Sequence, residues 1–378
     1  MRIGYVYIHS GIGGGIERAS GDLAATMAQL GHNVHFHCAS STVSPAGVTL
    51  HHVYAPDWPN SVRLAVFAVT ARAQARGGKY DILHSHGNII GADVITAHSC
   101  HRAGLRILAT NPVVGPRSRR NYGLADAVRL FIEKETYGKK RYRAVIAVST
   151  GIKNELMEHY GIPASDIAVI PNGVDVNRFR KEVLAKMRAE CRRRLVIPDE
   201  THVLLFVGNE FDRKGLANAI AAVRQINRED IVLLVLGGDD PAPYARLAKE
   251  MDVFRHVRFL GHREGIDDFY AAADIFVFPS LYEASSVAVL EAAAAGLPLV
   301  LTRFHGSEVL LEEGKTGFYV NGDPAAIARA VSVCVQDKDI ARRMGEAART
   351  KAAEFDLPRI GAQVISVYER VLAGKGRR

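Results

Sequence analysis

Two successive series of short apolar runs, each alternating with stretches of helical periodicity, constrain the fold of this chain more than any other feature. In the first half, residues 3–8 (IGYVYI) precede an amphipathic stretch at 16–30, and residues 34–38 (VHFHC) follow it. The pattern begins again in the second half with residues 202–208 (HVLLFVG). Short β-branched runs that alternate with helices are typical of parallel α/β layers. We therefore predict an α/β fold with two Rossmann-like, doubly wound parallel-sheet domains.

A charged segment without a sustained apolar face separates the two series. It runs from Val176 to Arg194, directly after the sequence PNGVD, and predicts a linker followed by an exposed helix. The predicted domains are residues 1–172 and 173–355, with a C-terminal helix and basic tail at 356–378. Because doubly wound domains bind ligands at the carboxyl ends of their strands, functional residues are expected in the segments that follow strands.

Cysteine content and hydropathy exclude several classes of protein. Four scattered cysteines without a CxxC pair argue against a disulfide framework or a thiolate zinc cluster and favour a reducing compartment. No apolar run approaches the roughly 18 residues of a membrane-spanning helix, and the run at the amino terminus is too short for a secretory signal. We therefore expect a cytoplasmic protein that does not cross a membrane.

Most of the net charge of +8 is concentrated in one segment of the first half. Residues 117–143 hold nine lysines or arginines against three acids, interleaved with aromatic and aliphatic side chains. The basic residues are Arg117, Arg119, Arg120, Arg129, Lys134, Lys139, Lys140, Arg141 and Arg143. Such a segment could meet anionic lipid headgroups, a phosphorylated glycan or nucleic acid, and a solvated helix face explains it equally well.

A glycine cluster lies between the first predicted strand and the first predicted helix. Gly11, Gly13, Gly14 and Gly15 would let backbone amides approach an anion at the positive end of that helix. The spacing is not GxGxxG and no Walker lysine follows, so a dinucleotide site or a P-loop is weakly supported. A tight turn without a ligand is the alternative.

Two cations follow the first strand of the second half. Arg213 and Lys214 stand in the segment 208–215 (GNEFDRKG), immediately before a predicted helix. Both charges add to the positive end of the helix dipole, so the segment could hold a diphosphate. A solvated surface pair is the alternative.

A strand-to-helix turn in the second half carries two carboxylates. Ser285 and Ser286 are natural N-cap residues for a predicted helix at 287–295. Glu283 lies just before the cap and Glu291 lies about two turns into the helix, so the two carboxylates have different surroundings. The helix is rich in alanine and predicted to be buried, so Glu291 needs a polar partner.

Histidines and one DxD sequence raise the question of a metal site. His84 and His86 share a face of one strand, and His98 and His101 follow a neighbouring strand. No carboxylate or thiolate completes this set, so chance clustering among fifteen histidines is the preferred interpretation. The DxD at 337–339 falls between late helices and predicts a surface turn. We predict no bound metal.

Taken together and in order, these segments resemble glycosyltransferase family 4, the retaining enzymes of the GT-B fold. The family's glycine turn and first helix resemble residues 13–34, and its strand-end histidine resembles His98 in VITAHS. Residues 171–175 (PNGVD) and 213–215 (RKG) match further segments, and the family's Glu-x7-Glu signature stands at 283–291. The resemblance covers nearly the whole chain and implies two Rossmann-like domains that face a central cleft.

The resemblance implies a role for each matching residue. Glu283 would approach the donor sugar as a catalytic carboxylate, Glu291 would bind the nucleotide ribose, and His98 would hydrogen-bond the transferred sugar as a second catalytic residue. The remaining donor-binding set is Gly14, Gly15, Asn209, Arg213, Lys214, Ser285, Ser286 and Val287. The implied mechanism is a front-face displacement in which cations and helix dipoles stabilise the departing diphosphate, with no metal or other cofactor.

Two departures from the family pattern bear on the donor. Asn209 stands where many members carry an arginine, which leaves Arg213 and Lys214 with more of the phosphate charge. Residues 284–287 (ASSV) replace the Phe-Gly pair that often follows the first glutamate.

Within the family, residues 207–216 (VGNEFDRKGL) and 282–292 (YEASSVAVLEA) are similar to lipopolysaccharide-core glucosyltransferases that use UDP-glucose. This similarity implies transfer of glucose to a lipopolysaccharide-core, other lipid-linked or polysaccharide acceptor on the inner face of the cytoplasmic membrane. The residues assigned to membrane or acceptor contact are Arg117, Arg119, Arg120 and Arg129.

Two other functions remain open from the sequence. The chain could be a family member with a GDP-sugar, ADP-sugar or UDP-HexNAc donor. It could also be a non-catalytic protein that binds a nucleotide or a nucleic acid. No nucleic-acid motif accompanies the basic segment, so no nucleic-acid partner is expected.

Overall fold

The computed structural model describes residues 1–11, 14–87, 89–110 and 123–375 of the chain. These residues form two compact units. The first contains the described parts of 1–107, 123–173 and 357–375, and the second is built on Val174–Asp356.

The first unit is built on a parallel sheet. Its strands are β1 (Arg2–Val6), β2 (His9–Ser10), β3 (Asn33–Cys38), β4 (Ser40–Ser41), β5 (Val48–His52), β6 (Ile82–Ser85), β7 (Val94–Ala97), β8 (Ala144–Ala147) and β9 (Ile167–Val169). Seven of these form one sheet in the order β5-β3-β1-β6-β7-β8-β9, with parallel pairing throughout, and β2 pairs with β4 beside it. The strand order runs outward from β1 in both directions, which confirms the predicted doubly wound arrangement.

Helices alternate with these strands along the chain. They are α1 (Gly15–Gln29), α2 (Asn60–Gly77), α3 (His101–Thr110), α4 (Leu124–Glu133) and α5 (Thr150–Tyr160). Val6 of β1 and Leu64 and Phe67 of α2 belong to one buried apolar cluster, so this helix is held against the sheet by apolar burial. The helix predicted at 16–30 is confirmed within one residue at each end.

The second unit repeats this architecture. Its strands are β10 (His202–Val207), β11 (Ile231–Leu236), β12 (Val257–Gly261), β13 (Ile275–Phe278), β14 (Leu299–Thr302) and β15 (Gly317–Val320). They form a parallel sheet in the order β12-β11-β10-β13-β14-β15. The helices are α6 (Lys181–Arg194), α7 (Leu216–Ile226), α8 (Ala242–Glu250), α9 (Asp267–Ala272), α10 (Val287–Ala295), α11 (Pro324–Gln336) and α12 (Lys338–Ala352).

The burial of the strands explains which of them the sequence predicts. Every residue of β11 is buried, as expected for a central strand that is covered on both faces. The sequence pattern does not predict β5 or β15, whose residues include exposed or partly exposed side chains.

The charged segment before β10 differs from the exposed helix that its composition predicts. α6 buries Leu184, Cys191 and Arg192. The Arg192 side chain donates to the carbonyl oxygen of Ala272 at 3.1 Å and to Asp274 Oδ2 at 2.7 Å. The predicted helix is present and most of its residues are exposed, but the burial of Arg192 was not predicted, because a buried arginine with fixed acceptors has the same composition as a solvated one.

From Pro324 onward the described chain is mainly helical, as predicted. After α12 the chain returns to the first unit as α13 (Leu357–Lys375), where the Tyr368 hydroxyl lies 2.9 Å from the hydroxyl of Tyr5 on β1. None of the described helices combines the length and the apolar character needed to cross a membrane.

Candidate active site

Two loops of the second unit meet at the carboxyl ends of neighbouring strands. β10 and β13 pair in parallel, so the segments that follow them leave the sheet side by side. The backbone N–H of Leu281 donates to the carbonyl oxygen of Arg213 at 2.9 Å. Gly215 makes this approach feasible, because its φ is +75° and a Cβ there would lie 2.2 Å from the Pro279 carbonyl oxygen. The strand-end position predicted for both polar segments is therefore where they lie.

Arg213, Lys214 and Glu283 converge on one point of these loops. Arg213 Nη1 donates to Glu283 Oε1 at 2.8 Å, and Lys214 Nζ donates to the same oxygen at 2.9 Å. Ser280 Oγ lies 3.2 Å from that oxygen, and Lys214 Nζ lies 4.6 Å from the centre of the Phe278 ring. Oε2 of Glu283 accepts no hydrogen bond from the described residues. The two predicted phosphate cations and the predicted catalytic carboxylate thus form one cluster.

Burial and charge set the protonation of this cluster. Burial by itself opposes ionisation of Glu283, but the nearby Arg213 and Lys214 outweigh it and lower the pKa of the carboxyl to about 2. Burial lowers the pKa of Lys214, against the opposing attraction of Glu283. At neutral pH the carboxylate is charged and two basic side chains share one of its oxygens. A competing anion could therefore displace it from them.

The second carboxylate of the predicted signature has its own partners. Glu291, on α10, is 2% exposed. Its Oε2 accepts from the Tyr270 hydroxyl at 3.0 Å, and Arg178 Nη1 lies 3.4 Å from its Oε1. Arg178 Nε also donates to Asp267 Oδ2 at 3.0 Å. The prediction that Glu291 requires a polar partner is confirmed, and the partners are a tyrosine on α9 and an arginine from the turn before α6.

α10 begins where the sequence predicts, but the side chain at its N-cap makes no capping hydrogen bond. Ser286 occupies the N-cap, as predicted, yet its side chain makes no capping hydrogen bond. Ser285 precedes the cap and Val287 begins the helix. The first amides of a helix have no partners within it, so an uncapped start favours binding of an anion.

Asn209 makes a structural contact at the end of β10. Its Oδ1 accepts from the backbone N–H of Gly238 at 2.7 Å, which joins the loops that follow β10 and β11. The oxygen of this carboxamide is thus already occupied by a hydrogen bond.

In the first unit, Gly14 and Gly15 begin α1 as predicted, with Gly14 at the N-cap. Gly14 has an extended backbone, and a Cβ on Gly15 would have no atom of the described residues within 4 Å. Packing against the described residues therefore does not require glycine at position 15. Gly13 lies outside the described residues.

His98 follows β7, as predicted, and pairs with His86, which the sequence grouped with it only as a possible metal ligand. Its Nε2 lies 2.9 Å from His86 Nδ1, so one of these nitrogens donates to the other. Burial lowers the pKa of His98 to about 4 and the pKa of His86 well below its ordinary value. Both rings are therefore neutral near pH 7, and His86 fixes the orientation of the His98 ring.

The residues assigned to membrane or acceptor contact are only partly described. Arg129, on α4, is bonded to Asp126 on the same helix at 3.2 Å. Arg117, Arg119 and Arg120 lie outside the described residues.

The histidines and the DxD have structural explanations. His84, on β6, is completely buried between the Tyr368 hydroxyl at 2.6 Å and Thr96 Oγ1 at 2.8 Å. Asp337 caps α12 and accepts from the backbone N–H groups of Asp339 and Ile340, in the surface position that was predicted. In the described ranges, no group of three or more histidine, cysteine, aspartate or glutamate side chains is placed to hold a metal ion.

The sequence reasoning missed two residues that support the predicted side chains, Arg178 and Tyr270, and it considered His86 only as a candidate metal ligand. Arg178 and Tyr270 hold Glu291, and His86 holds His98. A signal existed for Arg178, which follows the PNGVD segment by three residues. Tyr270 carried no comparable signal in the sequence, because an aromatic residue in a helix is usually part of a core.

Two family models match the chain on either side of its centre. Residues 13–178 match Glycosyltransferase Family 4, and residues 187–351 match Glycosyl transferases group 1. A D-inositol 3-phosphate glycosyltransferase of Streptomyces scabiei (strain 87.22) is 31% identical over 79% of this chain and 70% of the relative. A D-inositol 3-phosphate glycosyltransferase of Streptomyces coelicolor is 28% identical over 98% of this chain and 90% of the relative.

Solved structures show the same fold at low sequence identity. The crystal structure of WaaG, a glycosyltransferase involved in lipopolysaccharide biosynthesis, matches with a TM-score of 0.82 at 22% identity, over 97% of this chain and 99% of that one. The structure of Anabaena HepE in complex with UDP and glucose matches with a TM-score of 0.75 at 18% identity, over 98% of this chain and 100% of that one.

The two parallel-sheet units and these matches define a glycosyltransferase of the GT-B fold. The chain belongs to glycosyltransferase family 4. The fold and the family predicted from the sequence are both confirmed.

Proposed function

We propose that this protein is a retaining glycosyltransferase that works without a metal and transfers a hexose, glucose from UDP-glucose, to a hydroxyl group of its acceptor. The observation that carries the proposal is the convergence of Arg213 and Lys214 on Glu283 Oε1 beside the uncapped start of α10. This arrangement joins a site for a departing diphosphate to a carboxylate in one cluster.

The cluster supplies what the departure of a diphosphate requires. Negative charge develops on the bridging oxygen as the glycosidic bond breaks, and fixed cations with helix-start amides stabilise that charge best. Binding of the diphosphate would draw Arg213 and Lys214 away from Glu283. The freed carboxylate would then approach the sugar as positive charge develops at the anomeric carbon. The amides of Ser285, Ser286 and Val287 are assigned to the diphosphate, and Gly14, Gly15 and Asn209 to further donor contacts.

A donor and chelator assay tests this function directly. We expect donor hydrolysis or transfer with UDP-glucose, little with GDP- or ADP-sugars, and unchanged rates in excess EDTA, because Arg213 and Lys214 take the place of a divalent ion. A control without enzyme corrects for spontaneous hydrolysis. Loss of activity on chelation, with recovery on adding Mg²⁺, would contradict the metal-free mechanism. Preference for a GDP-sugar, an ADP-sugar or UDP-HexNAc would change the donor that we assign, but not the class of reaction.

Glu291→Gln should weaken binding of UDP by about tenfold with a smaller effect on kcat. The neutral amide accepts ribose hydroxyls less strongly than a carboxylate does, and one charged hydrogen bond contributes about 1.5–3 kcal/mol. Calorimetric titration with UDP measures the affinity. Glu250→Gln on the exposed end of α8 is the matched control and should leave both quantities unchanged. Wild-type kinetics in Glu291→Gln, Glu283→Gln and His98→Ala alike would refute the site.

Two chemical classes of acceptor are candidates. The segments similar to lipopolysaccharide-core glucosyltransferases favour a lipopolysaccharide-core, other lipid-linked or polysaccharide hydroxyl. The relatives at 28–31% identity are named for D-inositol 3-phosphate, which favours a phosphorylated cyclitol. Product analysis with D-inositol 3-phosphate in one arm and a lipopolysaccharide-core acceptor in the other separates the two.

Attachment to the inner face of the cytoplasmic membrane is proposed on charge alone. Arg117, Arg119 and Arg120 supply three positive charges within four residues, and each basic residue near an anionic membrane contributes about 1 kcal/mol. Neutralising all three should reduce sedimentation with phosphatidylglycerol vesicles, and Arg246→Gln in the second unit is the control. Unchanged sedimentation of the triple variant would reject this attachment.

A further inference from the structure

A cavity of about 760 Å³ opens in the first unit at the amino ends of three strands. Its wall includes Asp93 just before β7, Arg143 just before β8 and Asp166 just before β9. Arg370, near the end of α13, completes the opposite part of the wall. The strands are parallel, so this rim is the edge of the sheet away from His98, which follows the carboxyl end of β7. The cavity is therefore separate from the sugar-binding position assigned to His98.

The cavity wall is rich in positive charge. Its cations are Lys140, Arg141, Arg143 and Arg370, against the two carboxylates of Asp93 and Asp166. The Asp93 charge is already matched, because Lys375 Nζ lies 2.9 Å and Arg143 Nε lies 3.3 Å from it. Arg141 and Arg143 have acidic partners, so the cations whose repulsion an anion would offset are Lys140 and Arg370.

Two of these cations have no acidic partner. Arg141 is paired with Glu135 at 3.1 Å, whereas Lys140 and Arg370 make no ion pair with any described residue. Both side chains are exposed and reach the same cavity. They can therefore bind a ligand without first breaking an internal ion pair.

We propose that this cavity binds a small phosphorylated molecule of the class of sugar phosphates. Lys140 and Arg370 contact the phosphate. The volume lies within the about 300–1,000 Å³ of small-molecule sites, and a monosaccharide phosphate fills such a space better than inorganic phosphate does. The basic run at 139–143 is thus a part of a binding site and not only a solvated surface.

The test is calorimetric titration of the full-length protein with glucose 6-phosphate, in the presence of saturating UDP to occupy the nucleotide cations. We expect saturable binding at one site, no heat with glucose, and at least about tenfold weaker binding in the double variant Lys140→Asn with Arg370→Gln. Asn is chosen at 140 because the backbone there has φ of +49°, which Asn tolerates.

The control variant removes two positive charges that lie outside the cavity. Lys186→Gln with Arg246→Gln, two exposed cations of the second unit, should leave the affinity for glucose 6-phosphate within about twofold, because screened surface charges act weakly at a distance. An unchanged affinity for UDP in every variant shows that the fold and the nucleotide site are intact. If UDP does not bind, the titration without UDP still tests the cavity.

Three outcomes overturn the proposal. The first is no binding of glucose 6-phosphate, and the second is equal binding by wild type and by the Lys140 and Arg370 double variant. The third is sedimentation with phosphatidylglycerol vesicles that the double variant loses, without binding of glucose 6-phosphate, which would assign these cations to lipid headgroups.

Discussion

Glu283→Gln should lower kcat by about a hundredfold or more and at the same time tighten the binding of UDP. The carboxylate is the only acid that both Arg213 and Lys214 contact in the described chain, so its neutralisation frees both cations for the diphosphate. The amide cannot stabilise positive charge on the sugar, and loss of one preorganised electrostatic group costs about 10²–10³ in rate. Steady-state kinetics with UDP-glucose and calorimetry with UDP measure the two effects separately.

Glu210→Gln is the matched control for this prediction. Glu210 also contacts Arg213, but its side chain is 45% exposed, so we expect only a small change in either quantity. A Glu283→Gln variant that binds UDP more weakly and turns over normally would show that the cluster has a structural role only.

The same carboxyl should make stability depend on pH. The pKa of Glu283 is about 2 in the folded protein and 4.5 in its ordinary range. A group whose pKa is lower in the folded state stabilises that state above its unfolded-state pKa, and the contribution is lost as the pH falls from about 4.5 towards 2. Glu283→Gln should therefore show a smaller loss of stability over this range in denaturant titrations.

Asp274→Ala should reduce the free energy of unfolding by about 3–5 kcal/mol. Arg192 is 3% exposed and Arg188 is half-buried, and Asp274 is the carboxylate that contacts both, at 2.7 and 2.6 Å. Removal of one partner leaves a buried guanidinium without its counter-charge, which is the costly case for buried ion pairs. Urea titration measures the change.

Asp268→Ala is the control for Asp274→Ala. Asp268, on α9, pairs at 3.0 Å with Arg194, which lies on α6 as Arg192 does, but the side chains of Asp268 and Arg194 are 31% and 51% exposed. Exposed pairs contribute about 0–1 kcal/mol, so this variant should be nearly as stable as the wild type. If Asp274→Ala loses as little stability as Asp268→Ala, the carbonyl acceptors around Arg192 are sufficient to stabilise its buried charge.

Local patterns were enough to predict the positions of the two loops that form the candidate site. The strand and helix periods placed 208–215 and 279–286 after strands, and parallel pairing of β10 with β13 brings them together. The burial of α10 and the need of Glu291 for a partner also followed from composition. The identity of that partner did not, because Arg178 is 113 residues away along the chain.

The sequence by itself determined the two parallel sheets, the family and the positions of Glu283, Glu291 and His98. Each of these depends on spacing within a few residues of a strand or helix end. Only the tertiary structure decided that Lys214 contacts Glu283 and that His86 orients the ring of His98. It also decided that Arg192 is buried. Periodicity reports which face of an element is apolar, whereas the partner of a polar group is set by packing between elements distant in sequence.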